Sequence, residues 1–152
     1  MKYSTKLSDT IHLLIFLYLG EGQKMTSAKI AGSVKTNPAY IRQLMAALKS
    51  AGMITSSQGQ AKAELTRQPG EITVLDVYRA IEGNKPLLHW DIDTNPECGV
   101  GIYVQLSIAD FYQEIQRAAE QKMQAISLQD IIDRYGKKLN ELEQKSEREL
   151  TP

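Results

Sequence analysis

The stretch "TNPAYIRQLMAALKSAGMI", residues 36–54, decides the fold because it predicts one helix with a defined start and a defined end. Asn37 is a favoured N-cap, and Pro38 suits the first helical position, where no N–H is needed. Gly52 favours the end of the helix, and the two residues after it suit the start of a strand. Helical spacing predicts one buried face, formed by Ile41, Leu44, Met45 and Leu48.

The remaining surface of this helix carries side chains suited to DNA. Tyr40, Arg42 and Gln43 offer a phenol for phosphate or a thymine methyl, a guanidinium for guanine and an amide for adenine. A short helix is predicted just before it over residues 26–34, and the pair forms a helix-turn-helix whose second helix recognises bases. Solvation is the alternative for each polar side chain taken alone. Three small residues let the backbone approach the bases closely: Ala39, Ala46 and Ala47.

The segments around this pair of helices predict a winged helix-turn-helix domain over residues 1–83. The first helix, capped at Ser8 or Asp9, is apolar nearly all round and should be buried on more than one side. Residues 53–67 have apolar ends and a polar middle with one glycine, which is typical of a β-hairpin with an exposed tip, or wing. Residues 72–83 predict another short amphipathic helix.

The second part of the chain predicts a loop followed by helices. Residues 84–105 have no sustained period and are expected to form a loop that is a candidate sensor region. A long helix is predicted from Ser107 and a last helix from Ser127. The expected fold is therefore mainly α with a small β-hairpin, in which the winged domain is followed by dimerisation helices over residues 106–145 and a flexible tail over 146–152.

The long helix carries apolar residues in steps of three and four over about five turns, more than a small domain needs for its own core. Such a seam fits pairing between two subunits, and packing against the chain's own first helix is the alternative. The seam consists of Ile108, Phe111, Tyr112, Ile115, Ala119 and Met123.

The charges of the chain are unevenly distributed, although 18 basic and 18 acidic side chains give no net charge. Residues 23–67 contain seven basic side chains and one acidic side chain, a net charge of +6. Residues 68–152 contain nine basic and fifteen acidic side chains, a net charge of −6. The basic part includes the predicted recognition helix, so the distribution favours a nucleic-acid surface over chance clustering.

The apolar run "IHLLIFLYLG" at residues 11–20 resembles part of a signal peptide, but Glu21 and Lys24 follow where small residues should mark cleavage. The run is also far shorter than the roughly 20 residues that span a bilayer. We expect a core helix, no membrane partner and a cytoplasmic protein. The single cysteine excludes an internal disulfide and favours a reducing compartment.

Catalysis has little support in the sequence. His12 lies in the apolar first helix, and His89, beside Trp90, has no serine or cysteine motif with it. A glycine-rich phosphate loop and a paired-carboxylate motif are both missing from the sequence. Asp91 and Asp93 suit a hard cation, but loop carboxylates are usually only solvated. We therefore expect neither an enzyme nor a metal site.

Four segments together resemble the Rrf2 family of bacterial winged-helix regulators: the start "KYSTKLSDT" with its apolar helix, residues 27–54, the stretch "EITVLDVYRAIEG" after the wing, and "ISLQDII". The resemblance covers at least residues 1–83 and, more loosely, 106–135. It implies a dimer that pairs through the long helix and binds a partly palindromic operator in double-stranded DNA. It also implies recognition contacts from Tyr40, Arg42 and Gln43, and wing contacts from residues 58–62.

The chain departs from the family pattern in its cysteines, its wing and its recognition helix. Cluster-binding members have three cysteines in the loop after Gly83, whereas this chain has only Cys98. One thiolate and His89 are too few for an iron–sulfur cluster, which is held by four ligands, so we expect no cofactor. The wing lacks the Arg-Gly pair common in the family, which argues against arginine insertion into the minor groove. Arg42 stands where cluster-binding members are often acidic, so their operator sequence does not transfer.

The sequence thus predicts a homodimeric, sequence-specific DNA-binding transcriptional repressor without a cluster. The alternative is a winged-helix module that binds another protein instead of DNA. Cys98 is a candidate redox sensor, with an inert cysteine as the alternative. A pocket near Trp90, between the loop and the winged domain, is a candidate site for a small effector. The expected DNA contacts are Ser27, Asn37, Ala39, Tyr40, Arg42, Gln43, Lys49, Gln58, Gln60 and Lys62.

Overall fold

The computed structural model describes residues 4–56 and 62–150. Six α-helices, a two-stranded hairpin and a 3-10 turn follow one another in these residues, which confirms a mainly α fold with a small β-hairpin. In chain order they are α1 (Lys6–Leu19), α2 (Ser27–Val34), α3 (Pro38–Ser50), β1 (Ile54–Ser56), β2 (Ala63–Leu65), the 3-10 turn (Pro69–Glu71), α4 (Val74–Glu82), α5 (Gly99–Gln124) and α6 (Leu128–Leu150).

Helix α3 has the start and the end that local chemistry predicts. The side-chain oxygen of Asn37 accepts a hydrogen bond of 2.8 Å from the backbone N–H of Tyr40, and Pro38 occupies the first turn. Beyond the end of the helix, Gly52 has a φ of +69°, a left-handed conformation that glycine adopts without strain. The predicted buried face is confirmed by Ile41, Leu44 and Leu48, with Met45 packed at its edge.

Helix α1 begins earlier than the sequence predicts. Thr5 is the N-cap residue, and the hydroxyl of Ser8 donates to the carbonyl oxygen of Thr5 instead of capping the helix. Leu13 and Leu14 are fully buried, but Leu19 is 52% exposed. Within a single chain, the C-terminal end of this apolar helix is therefore left partly uncovered.

The core of the winged domain joins α1 to every element up to α4. Strands β1 and β2 pair antiparallel, with Ile54 opposite Leu65, as the predicted wing requires. The tip of the wing, residues 57–61, lies outside the described residues. Fully buried side chains from seven parts of the chain form the centre of the core: Leu13, Leu14, Ile30, Ile41, Leu48, Met53, Ile72, Val77 and Leu128.

The connection between α5 and α6 returns to the winged domain. The N–H of Val74 donates to the carbonyl oxygen of Ile126 at 2.8 Å, and the N–H of Leu128 donates to that of Ile72 at 2.9 Å. Leu128, the first residue of α6, is fully buried in the core. The C-terminal helices are thereby anchored to the winged domain, a contact that the sequence did not predict.

Helix α5 begins at Gly99, whereas the sequence predicted a loop as far as residue 105. Asn95 forms the turn before it, since its side chain accepts from the N–H of Glu97 and its carbonyl oxygen accepts from the N–H of Cys98. Ser107 is not an N-cap, because its hydroxyl donates to the carbonyl oxygen of Tyr103 inside the helix. The two glycines near this start hid the helical spacing of the apolar residues around them.

Helix α6 is capped as predicted: Asp130 accepts hydrogen bonds from both the N–H and the hydroxyl of Ser127. It continues to Leu150, through the region where the sequence predicted a flexible tail. Strong helix formers fill this region, and Glu141 precedes Lys145 by four residues, the favourable order for a helical ion pair. None of the helices described is long and apolar enough to cross a membrane.

Candidate nucleic-acid interface

Helix α3 presents a single polar face to solvent. Successive residues of a helix are separated by about 100°, which places Arg42 and Gln43 on the side opposite the buried Ile41 and Leu48. Ala39 lies between them and is also exposed. The full set of exposed residues on this face is Ala39, Arg42, Gln43, Ala46, Lys49 and Ser50.

The N-terminus of α2 lies beside this face. Thr26 caps α2 by accepting a hydrogen bond of 3.1 Å from the N–H of Lys29. Ser27, the first residue of α2, accepts a hydrogen bond of 3.3 Å from the guanidinium of Arg42. Lys35, with a φ of +61°, is the C-cap of α2 in the left-handed conformation, and the short connection to α3 begins there. Arg42 is therefore a neighbour of the N-terminus of α2, whose backbone N–H groups favour an anion beside Ser27.

Tyr40 does not project with Arg42 and Gln43, contrary to the sequence-based expectation. It lies at the edge of α3, packs against the core, and donates its hydroxyl to Asp9 of α1 at 3.0 Å. Desolvation raises the pKa of its phenol to about 12, with further contributions from the hydrogen bond and the negative charge of Asp9 and from Glu82. The phenol is occupied within the protein and joins α3 to α1.

Four further expected contacts are Asn37, Lys62 and two wing residues, Gln58 and Gln60. The side chain of Asn37 is used as the N-cap of α3, so it fixes the start of the helix. Lys62, just before β2, is exposed, whereas Gln58 and Gln60 lie outside the described residues. All the basic side chains of the positively charged part of the chain are exposed: Lys24, Lys29, Lys35, Arg42, Lys49, Lys62 and Arg67.

Helix α5 carries an exposed apolar stripe that begins earlier than predicted. Phe111 is 64% exposed and Ile115 is also exposed, as the predicted seam requires, but Tyr112 faces the loop that precedes α5. Ala119 and Met123 are half-buried. The first part of the stripe was not predicted, although its residues continue the same helical spacing: Val100, Tyr103 and Val104.

Cys98 is exposed at the N-cap of α5. Among residues 4–56 and 62–150, no group of three or more histidine, cysteine, aspartate or glutamate side chains is placed to hold a metal ion.

A sequence profile described as "Iron-dependent Transcriptional regulator", that of the Rrf2 family, matches residues 3–134. The chain belongs to the Rrf2 family. The description names iron, but the donor set of this chain does not fit an iron–sulfur cluster, because the sequence has a single cysteine.

Relatives of this Rrf2-family chain carry names of the same kind. "Putative HTH-type transcriptional regulator YwnA" of Bacillus subtilis is 34% identical over 130 residues, which are 86% of this chain and 96% of YwnA. The crystal structure of "a putative DNA binding protein" is 34% identical with a TM-score of 0.69, over 84% of this chain and 98% of that one.

The structure of CymR, the global cysteine regulator of B. subtilis, matches 86% of this chain and 95% of its own with a TM-score of 0.62. Its identity of 23% shows a shared fold and nothing more. The profile and the names of the relatives identify this Rrf2-family chain as a transcriptional regulator with a helix-turn-helix domain that binds DNA.

Proposed function

We propose that the protein is a homodimeric repressor that reads a partly palindromic operator with α3 in the major groove. The observation that supports this most is the exposed face of α3, where Arg42 and Gln43 stand between small side chains and beside the N-terminus of α2. An α-helix fits the major groove, and a helix-turn-helix reads base edges with the N-terminal part of its second helix.

Within this interface we assign separate roles to the side chains. Arg42 suits guanine and Gln43 suits adenine, because each can make two parallel hydrogen bonds to its base. Ser27, Lys49 and Lys62 are assigned to the phosphate backbone, which provides affinity without sequence preference. Gln58 and Gln60 remain candidates for the wing contact, and Asn37 and Tyr40 hold α3 in position.

We assign the dimer contact to the apolar stripe of α5. Its exposed side chains include Tyr103, Phe111 and Ile115, and a second copy of the same helix would cover them symmetrically. A two-fold dimer would present two α3 helices to half-sites about 34 Å apart, which is the spacing of one turn of DNA.

We also propose that this regulator works without an iron–sulfur cluster, since Cys98 is its single cysteine. Protein purified without oxygen should lack the visible absorption of such a cluster, and its presence would contradict this assignment. Cys98 remains a candidate for thiol oxidation, which is tested by comparing DNA binding of the wild type and Cys98→Ser under mild peroxide.

Selection of bound duplexes from a random pool tests the proposal. The wild type should enrich a partly palindromic sequence with two similar half-sites. Arg42→Ala should lose its preference at one base pair in each half-site, whereas Arg148→Ala, on α6, should enrich the wild-type sequence. Failure to bind any duplex at low salt would overturn the proposal and favour the alternative, a winged-helix module whose α5 stripe docks on another protein.

A further inference from the structure

A cavity of about 530 Å³ lies between α5 and the loop that precedes it, and we call it the loop cavity. Its walls are largely apolar, which is typical of sites for small molecules, and its volume is in the range of such sites. Its residues come from the start of the loop and from one face of α5: Pro86, Leu88, His89, Trp90, Ile92, Ala109, Tyr112, Gln113, Gln116 and Arg117.

Hydrogen bonds from side chains of α4 and α5 hold the loop in place over the cavity. The hydroxyl of Tyr78 donates to the carbonyl oxygen of Lys85. The side-chain oxygen of Gln116 accepts from the N–H of Leu87 at 2.9 Å, and that of Gln105 accepts from the N–H of Asp91 at 3.2 Å. The loop is thereby tied to two helices at three points, so the cavity is formed before a ligand arrives, which lowers the entropic cost of binding.

Arg117 gives the loop cavity one positive charge. Among the described residues, none of those that line the cavity is acidic. Glu120, one turn further along α5, instead pairs with Arg79 of α4 at 3.5 Å and accepts a hydrogen bond from Gln116. Within the described part of the chain, the guanidinium of Arg117 has neither a hydrogen bond nor an ion pair of its own. An unpaired guanidinium beside an apolar wall favours a ligand with an apolar body and one anionic group.

The proposed dimer contact leaves this cavity open. At about 100° per residue, the exposed stripe with Phe111 lies on nearly the opposite side of α5 from Ala109, Gln113 and Gln116. A second copy seated on the stripe therefore does not fill the loop cavity.

We infer that the loop cavity binds a small monocarboxylate with an apolar or aromatic body, with Arg117 on the carboxylate and Trp90 and Tyr112 against the body. The assignment of this cavity as an effector site rests on the proposed regulator function. The binding test uses no DNA, so its failure is distinguishable from failure of the proposed function.

Trp90 is the only tryptophan of the chain, so tryptophan emission reports directly on the loop cavity. The experiment titrates the full-length protein with 4-phenylbutyrate and, separately, with its neutral amide, 4-phenylbutanamide. We expect a saturable change in emission with both compounds, and about tenfold tighter binding of the acid, as a charge-assisted hydrogen bond would give.

Arg117→Gln removes the positive charge and leaves the apolar wall of the loop cavity unchanged, so it tests the contribution of the charge alone. This variant should lose the preference for the acid and bind the amide as the wild type does, which also shows that its cavity is intact. The control Arg148→Gln, far along α6, should keep the preference. Equal binding of acid and amide by the wild type, a preference kept by Arg117→Gln, or an emission that does not saturate would each overturn the inference.

Discussion

The hydroxyl of Tyr40 donates to the carboxylate of Asp9 across the contact between α3 and α1, where solvent reaches it only in part. The folded state therefore favours the neutral phenol, and the pKa of Tyr40 rises from 10.0 to about 12. A group whose pKa is higher in the folded than in the unfolded state stabilises the fold below the unfolded value, and this stabilisation is lost as the pH rises through the folded value.

We predict that the wild type loses stability more steeply than Tyr40→Phe between pH 10 and 12, the window that these pKa values define. The measurement is the free energy of unfolding by urea at several pH values. Tyr135→Phe, which changes an exposed tyrosine on α6, should follow the wild type. Parallel curves for the wild type and Tyr40→Phe would show that the phenol titrates equally in both states.

Arg42 and Lys62 should have different effects on DNA binding, although both are exposed cations. Arg42→Ala removes a base contact and should cost roughly 1–3 kcal/mol on the preferred operator, with little loss on unrelated duplexes. Lys62→Ala removes a phosphate contact, so it should weaken binding to all duplexes alike. It should also reduce the slope of log affinity against log salt concentration by about one, because one counterion fewer is released. Titrations of both variants on both kinds of duplex, over a range of salt, measure these changes. Identical profiles would contradict the separate roles.

The packing of Leu128 in the core indicates that α6 contributes to the stability of the winged domain. This side chain starts α6 and is fully buried in the core. Leu128→Ala should lower the free energy of unfolding of the entire chain by about 2–5 kcal/mol, the usual cost of a cavity in a core. Leu142→Ala, on the same helix but 64% exposed, should cost far less when measured at the same protein concentration. Equal losses would mean that the contact of Leu128 with the core adds nothing to the free energy of unfolding.

The elements differ in how well the sequence predicts them, because they depend on local and distant contacts to different degrees. Asn37, Pro38 and Gly52 act on backbone groups within a few residues of themselves, so the bounds of α3 follow from sequence. The orientation of Tyr40 depends on Asp9, 31 residues away. The hydrogen bonds between residues 72–74 and 126–128 likewise join distant segments. The spacing of apolar residues along the sequence does not predict such pairings.

The proposed assembly depends on the α5 stripe, because the apolar side chains there are exposed in the part of the chain that the structure describes. In Phe111→Glu a carboxylate replaces a ring that is 64% exposed in the single chain. Burying that charge between two subunits would cost much more than leaving it in water. We therefore predict that Phe111→Glu is a monomer by sedimentation at concentrations where the wild type is a dimer, with the helical content of a folded chain.

A monomer has one α3 for a site with two halves, so it should bind an isolated half-site as the wild type does and lose the added affinity of the palindrome. Gln113→Glu, which places the same charge on the other side of α5, should remain dimeric. A dimeric Phe111→Glu would move the subunit contact away from α5.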